Sequence, residues 1–197
     1  MIKWIFFDLG STLLDESARV QERIDATAVR LDMGPEAFEA MLERAKPPYA
    51  LKMELPGGVE WAPWPERLDP LYPGAPALLR ELHGHYKLGV IANHGADTAE
   101  RLGIVQHLDV IVTSEEMGFG KPDLRIFQAA LERAGCAPEE ACMVGDRLDN
   151  DIVPAKRLGM KTIWVRQGWG GRGVPVSEEM APDMTVNTLE EVLLCLK

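Results

Sequence analysis

Four charged residues in this sequence have side chains that could carry out chemistry together: Asp8, Lys121, Asp146 and Asp151. Carboxylates that lie close together repel one another, and a hard cation that prefers oxygen ligands, such as Mg²⁺, relieves the repulsion. A metal ion and a lysine together neutralise the charge of a phosphoryl group. Asp8 could then attack phosphorus as a nucleophile.

The elements that precede these residues decide whether they meet. Residues 2–7 form an apolar and aromatic run that predicts a buried strand, and Asp8 follows it directly. Asp146 follows a second apolar run, and Lys121 lies in a Gly-rich stretch before a predicted helix. Because the loops after parallel strands meet at one edge of the sheet, we expect Asp8, Asp146 and Asp151 to converge with Lys121.

From residue 73 onward the chain alternates between helical and strand patterns. The predicted helices cover 75–82, 96–108, 123–134, 150–158 and 189–196, and the predicted strands cover 87–93, 109–113, 141–144, 161–165 and 184–186. Strands separated by helices of this length form a parallel sheet with right-handed crossovers. The predicted fold class is therefore α/β, with a Rossmann-like parallel sheet as its core.

Residues 16–72 interrupt this alternation. Apolar residues recur at helical spacing through 16–33 and again after Pro35, whereas 46–74 is rich in proline. We therefore predict an α/β core of residues 1–15 and 73–197 with a small, mainly helical insert. Its tryptophans, Trp61 and Trp64, either pack between the insert and the core or face a substrate or partner.

Composition restricts the classes of partner. The chain has 197 residues and a formal net charge of −10, and this negative charge argues against general electrostatic binding to nucleic acid. No apolar run approaches the roughly 20 residues that span a bilayer, so no membrane partner is expected. Three cysteines without metal-ligand spacing fit a reducing, cytoplasmic setting. A small phosphorylated ligand stays compatible with an acidic protein, and the sequence does not indicate the oligomeric state.

Four short motifs, in order along the chain, resemble those of the haloacid dehalogenase-like (HAD) superfamily. The first is Asp8-Leu9-Gly10-Ser11-Thr12, the second Ala92-Asn93, the third Lys121-Pro122, and the fourth Gly145-Asp146 with Asn150-Asp151. Each motif is weak alone, but four at predicted strand ends identify the chain as a member of this superfamily. The resemblance covers nearly the whole chain outside the insert, which matches the helical cap of many members.

The resemblance implies a role for each matched residue. Asp8 would be the nucleophile that forms an aspartyl-phosphate, and Lys121 would balance charge between nucleophile and phosphate. Mg²⁺ would be held by Asp8, the Gly10 carbonyl and Asp146, with Asp151 binding the metal or its waters. The second motif, Ala92-Asn93, would bind phosphate together with Lys121. The implied activity is Mg²⁺-dependent hydrolysis of a small phosphate ester.

Two residues depart from the family pattern. Gly10 replaces the second Asp of the first motif, which protonates the leaving oxygen and later activates water, and losing such help costs about 10²–10⁴-fold in rate. Ala92 replaces a hydroxyl that holds a phosphate oxygen, which leaves backbone N–H groups and Asn93. His94, at the same sheet edge, could supply the missing proton, or it could be an ordinary loop histidine.

Three functions fit these observations. The first is a phosphatase that acts slowly, or on phosphates with good leaving groups. The second is a catalytically weak or inactive HAD-fold protein that serves as a binding or scaffold module through the region of Trp61 and Trp64. The third is a dehalogenase-like hydrolase, which the intact pair of Asp146 and Asp151 disfavours. Ordinary structural roles, such as a loop lysine at Lys121, are less consistent with the joint pattern.

Overall fold

The computed structural model describes residues 1–45 and 53–196. Its centre is a sheet of six parallel strands in the order β3-β2-β1-β4-β5-β6, which confirms the predicted α/β class. The strands are β1 (Trp4–Phe7), β2 (Lys87–Ala92), β3 (Val110–Thr113), β4 (Ala141–Gly145), β5 (Lys161–Val165) and β6 (Met184–Val186).

The central strand β1 is apolar on both faces because both faces of the sheet are covered. Ile5 and Phe7 pack on one side with the helix at residues 75–83, and Phe6 packs on the other with the helix at residues 124–134. All three side chains are fully buried. This double burial explains why β1 has a continuous apolar run instead of an alternating pattern.

The order of the strands creates a crevice at the end of β1. The chain passes from β1 to β2 and β3 on one side, then crosses to β4 on the other side of β1. At such a reversal the loops after the two strands diverge and leave room for a ligand. Asp8 follows β1 and Asp146 follows β4, so both carboxylates stand at the mouth of this crevice.

The described part of the chain contains eight α-helices, together with several short 3₁₀ turns. They are α1 (Ser17–Arg30), α2 (Pro35–Arg44), α3 (Ala75–His83), α4 (Thr98–Arg101), α5 (Ser114–Met117), α6 (Leu124–Ala134), α7 (Val153–Leu158) and α8 (Val192–Cys195). None of the helices in residues 1–45 and 53–196 is long and apolar enough to cross a membrane.

Two predicted helices were wrong in extent. The continuous helix predicted over 96–108 is divided into α4 and a 3₁₀ turn at Val105–His107, because Gly103 between them has a left-handed φ of 66°. The helix predicted over 150–158 begins earlier, as a π-helical turn over Leu148–Ile152, before α7. Wider turns of this kind often occur at functional sites.

Helices α1 and α2 have an apolar cluster of their own. Val20 and Ile24 of α1 pack against Phe38 and Leu42 of α2, and Ala28 and Leu55 complete the buried set. Trp169 from the loop after β5 also packs against this cluster, so the helical segment contacts the rest of the chain there. The division into a core and an insert of residues 16–72 stays a prediction, and part of its Pro-rich stretch, residues 46–52, lies outside the described residues.

Candidate active site

The turn after β1 holds Asp8 at the sheet edge. The Asp8 backbone N–H donates to the Val144 carbonyl oxygen at 2.9 Å, which continues the pairing of β1 with β4 by one residue. Beyond it the Leu9 carbonyl oxygen accepts hydrogen bonds from the N–H groups of residues 12–14. Ser11 inside this turn has a left-handed φ of 56°. The chain therefore reverses sharply, and Asp8 stays at the crevice.

Lys121 lies between two of the predicted carboxylates. Its ammonium Nζ is 2.6 Å from Asp8 Oδ1 and 2.6 Å from Asp151 Oδ1, and its side chain is almost completely buried. Burial lowers the pKa of Lys121, but the charges of Asp151 and Asp8 outweigh it, so the pKa lies above its usual value. Lys121 is therefore a charged, fixed cation beside Asp8.

Asn93 positions the loop that carries Lys121. Its side-chain Nδ2 donates to the Lys121 carbonyl oxygen at 2.9 Å, and its Oδ1 accepts from the Lys121 N–H at 2.8 Å. Both ends of the Asn93 amide are thus engaged by the Lys121 backbone. Ala92 is fully buried as the last residue of β2.

Asp8, Asp146 and Asp151 form one buried acidic cluster. One carboxylate oxygen from each lies within 4.8 Å of the others. Burial, followed by the charges of Asp151 and Asp8, raises the pKa of Asp146 well above its usual range. Burial is also the largest influence on Asp151, and it raises the pKa of that residue to about 6. A single lysine therefore does not compensate the cluster, and a divalent cation would.

The donor set around the cluster suits Mg²⁺. Asp8, Gly10, Asp146 and Asn150 all line the same cleft and offer oxygen atoms. Asn150 Oδ1 is buried and has no hydrogen-bond partner in the described residues. Because buried polar atoms normally have a partner, this oxygen is a candidate metal ligand.

Asp151 differs from these donors because both its oxygens are already engaged. Oδ1 accepts from Lys121, and Oδ2 accepts from the Arg147 N–H at 2.9 Å. Its geometry suits the positioning of Lys121 better than direct contact with a metal ion.

The space beside Gly10 is filled by two other side chains. A Cβ atom built on Gly10 would lie 2.5 Å from Glu16 Oε2 and 2.9 Å from His94 Cε1. A side chain at residue 10 would thus project into the place that Glu16 and His94 now share. His94 Nε2 lies 3.5 Å from Glu16 Oε1, and both residues line the cleft beside Asp8.

Several neighbours hold the Glu16 carboxylate. Ser11 Oγ donates to Oε2 at 3.1 Å, and Arg19 forms an ion pair with Oε1. Burial raises the pKa of Glu16, but His94, Arg19 and Ser11 together bring it below the usual value. His94 Nδ1 is buried and has no hydrogen-bond partner in the part of the chain that the structure describes. The pair therefore combines a carboxylate with an imidazole whose second nitrogen is uncommitted.

The cleft above Asp8 has a volume of about 570 Å³, within the range of small-molecule sites. Its floor comes from the sheet edge, and its walls come from α1, from Trp61 and Trp64, and from Trp169 in the loop after β5. Trp61 also packs against Phe38 with ring centroids 5.6 Å apart. Trp61 thus packs inside the helical segment, and both tryptophans line the cleft. That they contact a substrate or a partner stays a prediction.

Sequence patterns identified the charged residues at strand ends but missed the residues that α1 and its surroundings supply. Glu16, Arg19 and Arg23 were not predicted as site residues, nor were Asn150 and Trp169. A glutamate at the start of a helix and arginines along it are common on solvated helices, so no local signal distinguishes them. Only Glu16 could have been suspected from the sequence. Gly10 lacks the carboxyl group of the family motif, and Glu16 is a carboxylate a few residues further along the chain.

Comparisons with known proteins identify a family whose model matches most of the chain. Residues 2–159 match the family model described as haloacid dehalogenase-like hydrolase. The chain is 33% identical over 227 aligned residues to a glyceraldehyde 3-phosphate phosphatase of Methanocaldococcus jannaschii, with 100% of this chain and 98% of that protein covered. It is 37% identical over 133 residues to a phosphoserine phosphatase of Thermus thermophilus, covering 65% of this chain and 52%, about half, of that relative.

A solved structure shares the fold. A 2-haloacid dehalogenase of Pseudomonas syringae pv. Tomato superposes with a TM-score of 0.69 at 24% identity, with 100% of this chain and 98% of that chain covered. At this level of identity the likeness concerns the arrangement of the sheet and helices alone.

Proposed function

The chain belongs to the haloacid dehalogenase-like hydrolase family, and we propose that it is a Mg²⁺-dependent phosphatase that acts on a small phosphorylated metabolite through an aspartyl-phosphate on Asp8. The observation that carries the proposal is the contact of Lys121 with Asp8 at 2.6 Å inside a buried acidic cluster. The phosphatase names of two relatives at 33% and 37% identity support the same reaction class.

Asp8 has one oxygen left for the reaction. Oδ1 accepts from Lys121, whereas Oδ2 takes part in no hydrogen bond within residues 1–45 and 53–196. In the first step Oδ2 attacks phosphorus, the bond from phosphorus to the ester oxygen breaks, and that oxygen takes a proton. Lys121 holds Asp8 in place and offsets the negative charge that accumulates on the phosphoryl oxygens.

Asp8, Asp146, the Gly10 carbonyl and Asn150 would hold the metal ion. A bound Mg²⁺ supplies positive charge that stabilises the phosphoryl oxygens. The raised pKa of Asp146 and the unpartnered Asn150 oxygen both support a cation at this place. Asp151 keeps Lys121 in position by its 2.6 Å contact.

Glu16 and His94 take over the proton transfer that Gly10 cannot perform. The pKa of Glu16 lies below its usual value, and the proposed cycle begins with one proton on the pair of Glu16 and His94. The leaving oxygen takes this proton when its bond to phosphorus breaks. When water attacks phosphorus of the aspartyl-phosphate, the bond between phosphorus and Asp8 Oδ2 breaks and inorganic phosphate leaves. The pair takes a proton from that water, so the cycle leaves Asp8, Glu16 and His94 unchanged. The 3.5 Å separation of the two side chains is compatible with contacts that tighten once substrate binds.

Two lesser proposals complete the assignment. We propose that residues 16–72 act as a cap over the cleft, which is supported by the position of α1, Trp61 and Trp64 in its walls. We also propose a reducing, cytoplasmic setting, supported by the free thiols of Cys136, Cys142 and Cys195.

Phosphate release from a panel of aryl, acyl and alkyl phosphates, with Mg²⁺ and with chelator, tests the proposed reaction. We expect turnover that requires Mg²⁺ and that Asp8→Asn abolishes. Chloride release from 2-chloropropanoate would favour a dehalogenase instead. Mg²⁺ binding without turnover on any ester would favour a non-catalytic binding protein, for which the exposed part of Trp64 is the best contact surface.

A further inference from the structure

Arg23 projects from α1 into the cleft and is held there by aromatic rings. Its guanidinium carbon lies 4.2 Å from the ring centroid of Trp64 and 4.8 Å from that of Trp61. Its Nε donates to the Ala62 carbonyl oxygen at 2.8 Å. Two rings and one backbone contact therefore fix the plane of the guanidinium before any ligand binds.

Arg23 differs from the other arginines of the cleft because no carboxylate in residues 1–45 and 53–196 pairs with it. Arg19 contacts Glu16 and lies 2.7 Å from Asp69, and Arg147 contacts Asp149. For Arg23, no ion pair occurs with any of the described residues, and its hydrogen bond through Nε leaves both terminal nitrogens without a described partner. Partial burial of this cation lowers the pKa of Arg23. An unpaired, partly desolvated charge in a ligand cleft favours an anionic ligand.

We propose that Arg23 binds a carboxylate of the substrate, so that the molecule hydrolysed at Asp8 is a phosphate ester of a small hydroxy acid. The proposal rests on the proposed function, because it takes the Asp8 end of the cleft as the phosphate site. The two terminal nitrogens of a guanidinium match the two oxygens of a carboxylate. A monoanion is the better match than a second phosphate, because one unpaired guanidinium offers a single positive charge.

The rest of the cleft fits such a molecule. A cleft of about 570 Å³ accepts a metabolite of a few carbon atoms with its phosphate. The rings of Trp61, Trp64 and Trp169 provide apolar walls for the carbon chain between the two anionic groups. Arg23 would act as a specificity residue, since it contacts the end of the substrate that does not react.

Binding of stable phosphonates tests the proposal without any need for turnover. 3-Phosphonopropanoate and propylphosphonate differ only in the carboxylate, and intrinsic tryptophan fluorescence reports their binding because Trp61 and Trp64 flank Arg23. We expect wild-type protein with Mg²⁺ to bind 3-phosphonopropanoate about 10-fold to 100-fold more tightly, the range of a charge-assisted hydrogen-bonded pair. Arg23→Met should remove this preference while binding of propylphosphonate stays nearly the same, and Arg23→Lys should restore part of it.

Arg44→Met is the matched control, because Arg44 is an exposed cation of the neighbouring helix α2. Equal binding of the two phosphonates by wild-type protein would overturn the proposal, as would a preference that Arg23→Met retains. Tighter binding of propane-1,3-bisphosphonate than of 3-phosphonopropanoate would also overturn it, in favour of a second phosphate. The binding preference is measured without ester hydrolysis. A protein that prefers 3-phosphonopropanoate but hydrolyses no ester would therefore contradict the proposed phosphatase reaction and not this proposal.

Discussion

The carboxylate of Glu16 occupies the space beside Gly10, with its Oε2 2.5 Å from the point at which a side chain on Gly10 would begin. The two positions are six residues apart in the chain, but the turn after β1 brings them together. The absence of a side chain at residue 10 and the presence of a carboxylate at residue 16 are therefore one structural feature. Five testable predictions concern this site.

Glu16→Gln should lower hydrolysis of alkyl phosphates by about 10²–10⁴-fold, because these poor leaving groups require a proton. Hydrolysis of an aryl phosphate should change much less, since its leaving group is stable as an anion. Steady-state rates on ethyl phosphate and on 4-nitrophenyl phosphate measure both effects. An equal loss on both esters would assign Glu16 to binding or to folding instead.

Gly10→Asp should not improve the enzyme by itself, because its side chain must displace the Glu16 carboxylate. In a Glu16→Ala background the space is free, and Gly10→Asp should then raise the rate on alkyl phosphates above that of Glu16→Ala alone. This double-mutant cycle measures the coupling of the two positions. Independent effects of the two substitutions would show that the carboxylates do not share one role.

His94→Gln should reduce the rate on alkyl phosphates more than on aryl phosphates, because it removes the imidazole of the proposed proton-exchange pair. The side chain of glutamine keeps hydrogen-bonding capacity, so the position of Glu16 should change little. Rates on the two ester classes, together with an unchanged melting temperature, test this role. An unchanged ratio between the ester classes would leave His94 as a loop histidine.

Asp146→Asn should abolish Mg²⁺ binding in a calorimetric titration, because it removes a carboxylate from the centre of the acidic cluster. Asp149→Asn is a suitable control, since Asp149 pairs with Arg147 and lies outside the cluster. We expect the control to bind Mg²⁺ as the wild type does. Retention of binding by Asp146→Asn would place the metal elsewhere.

Without metal, Asp151 should make the folded protein less stable as the pH rises. Its pKa is about 6 in the folded protein against an ordinary value of 3.8, so the folded state holds the proton more tightly than the unfolded chain does. The resulting stabilisation is complete below about pH 4 and is lost as the pH rises through about 6. Melting temperatures in chelator check this expectation: wild type should lose stability relative to Asp151→Asn over that interval. A constant difference between the two proteins would contradict it.

Residues at strand ends were the predictable part of the site. Asp8 and Asp146 each follow an apolar run that is buried on both faces, and the parallel topology then brings them to one edge. Lys121 could be predicted as well, because its Gly-rich loop precedes a strongly amphipathic helix. The sequence thus indicated the sheet and the meeting of Asp8 with the other carboxylates of the acidic cluster.

Glu16 and Gly170 show why the rest could not be predicted. The approach of Glu16 to Gly10 depends on the left-handed backbone of Ser11, which no local pattern signals. Gly170 lies so close to Asp146 that a Cβ atom there would collide with its carboxylate, but in the sequence it is one of several glycines in a loop. Contacts of this kind arise from loops folding across one another, and local periodicity does not record them.

Helix α1 begins directly after Glu16 and carries Arg19 and Arg23 along its first two turns. On the roles proposed above, the group that exchanges protons and the group that recognises the substrate belong to one rigid body. A substitution that displaces α1 from the sheet edge should therefore disturb Arg23 and Glu16 together. Substrate recognition and proton exchange are then coupled through one helix. A change in either should appear in the turnover number as well as in the affinity.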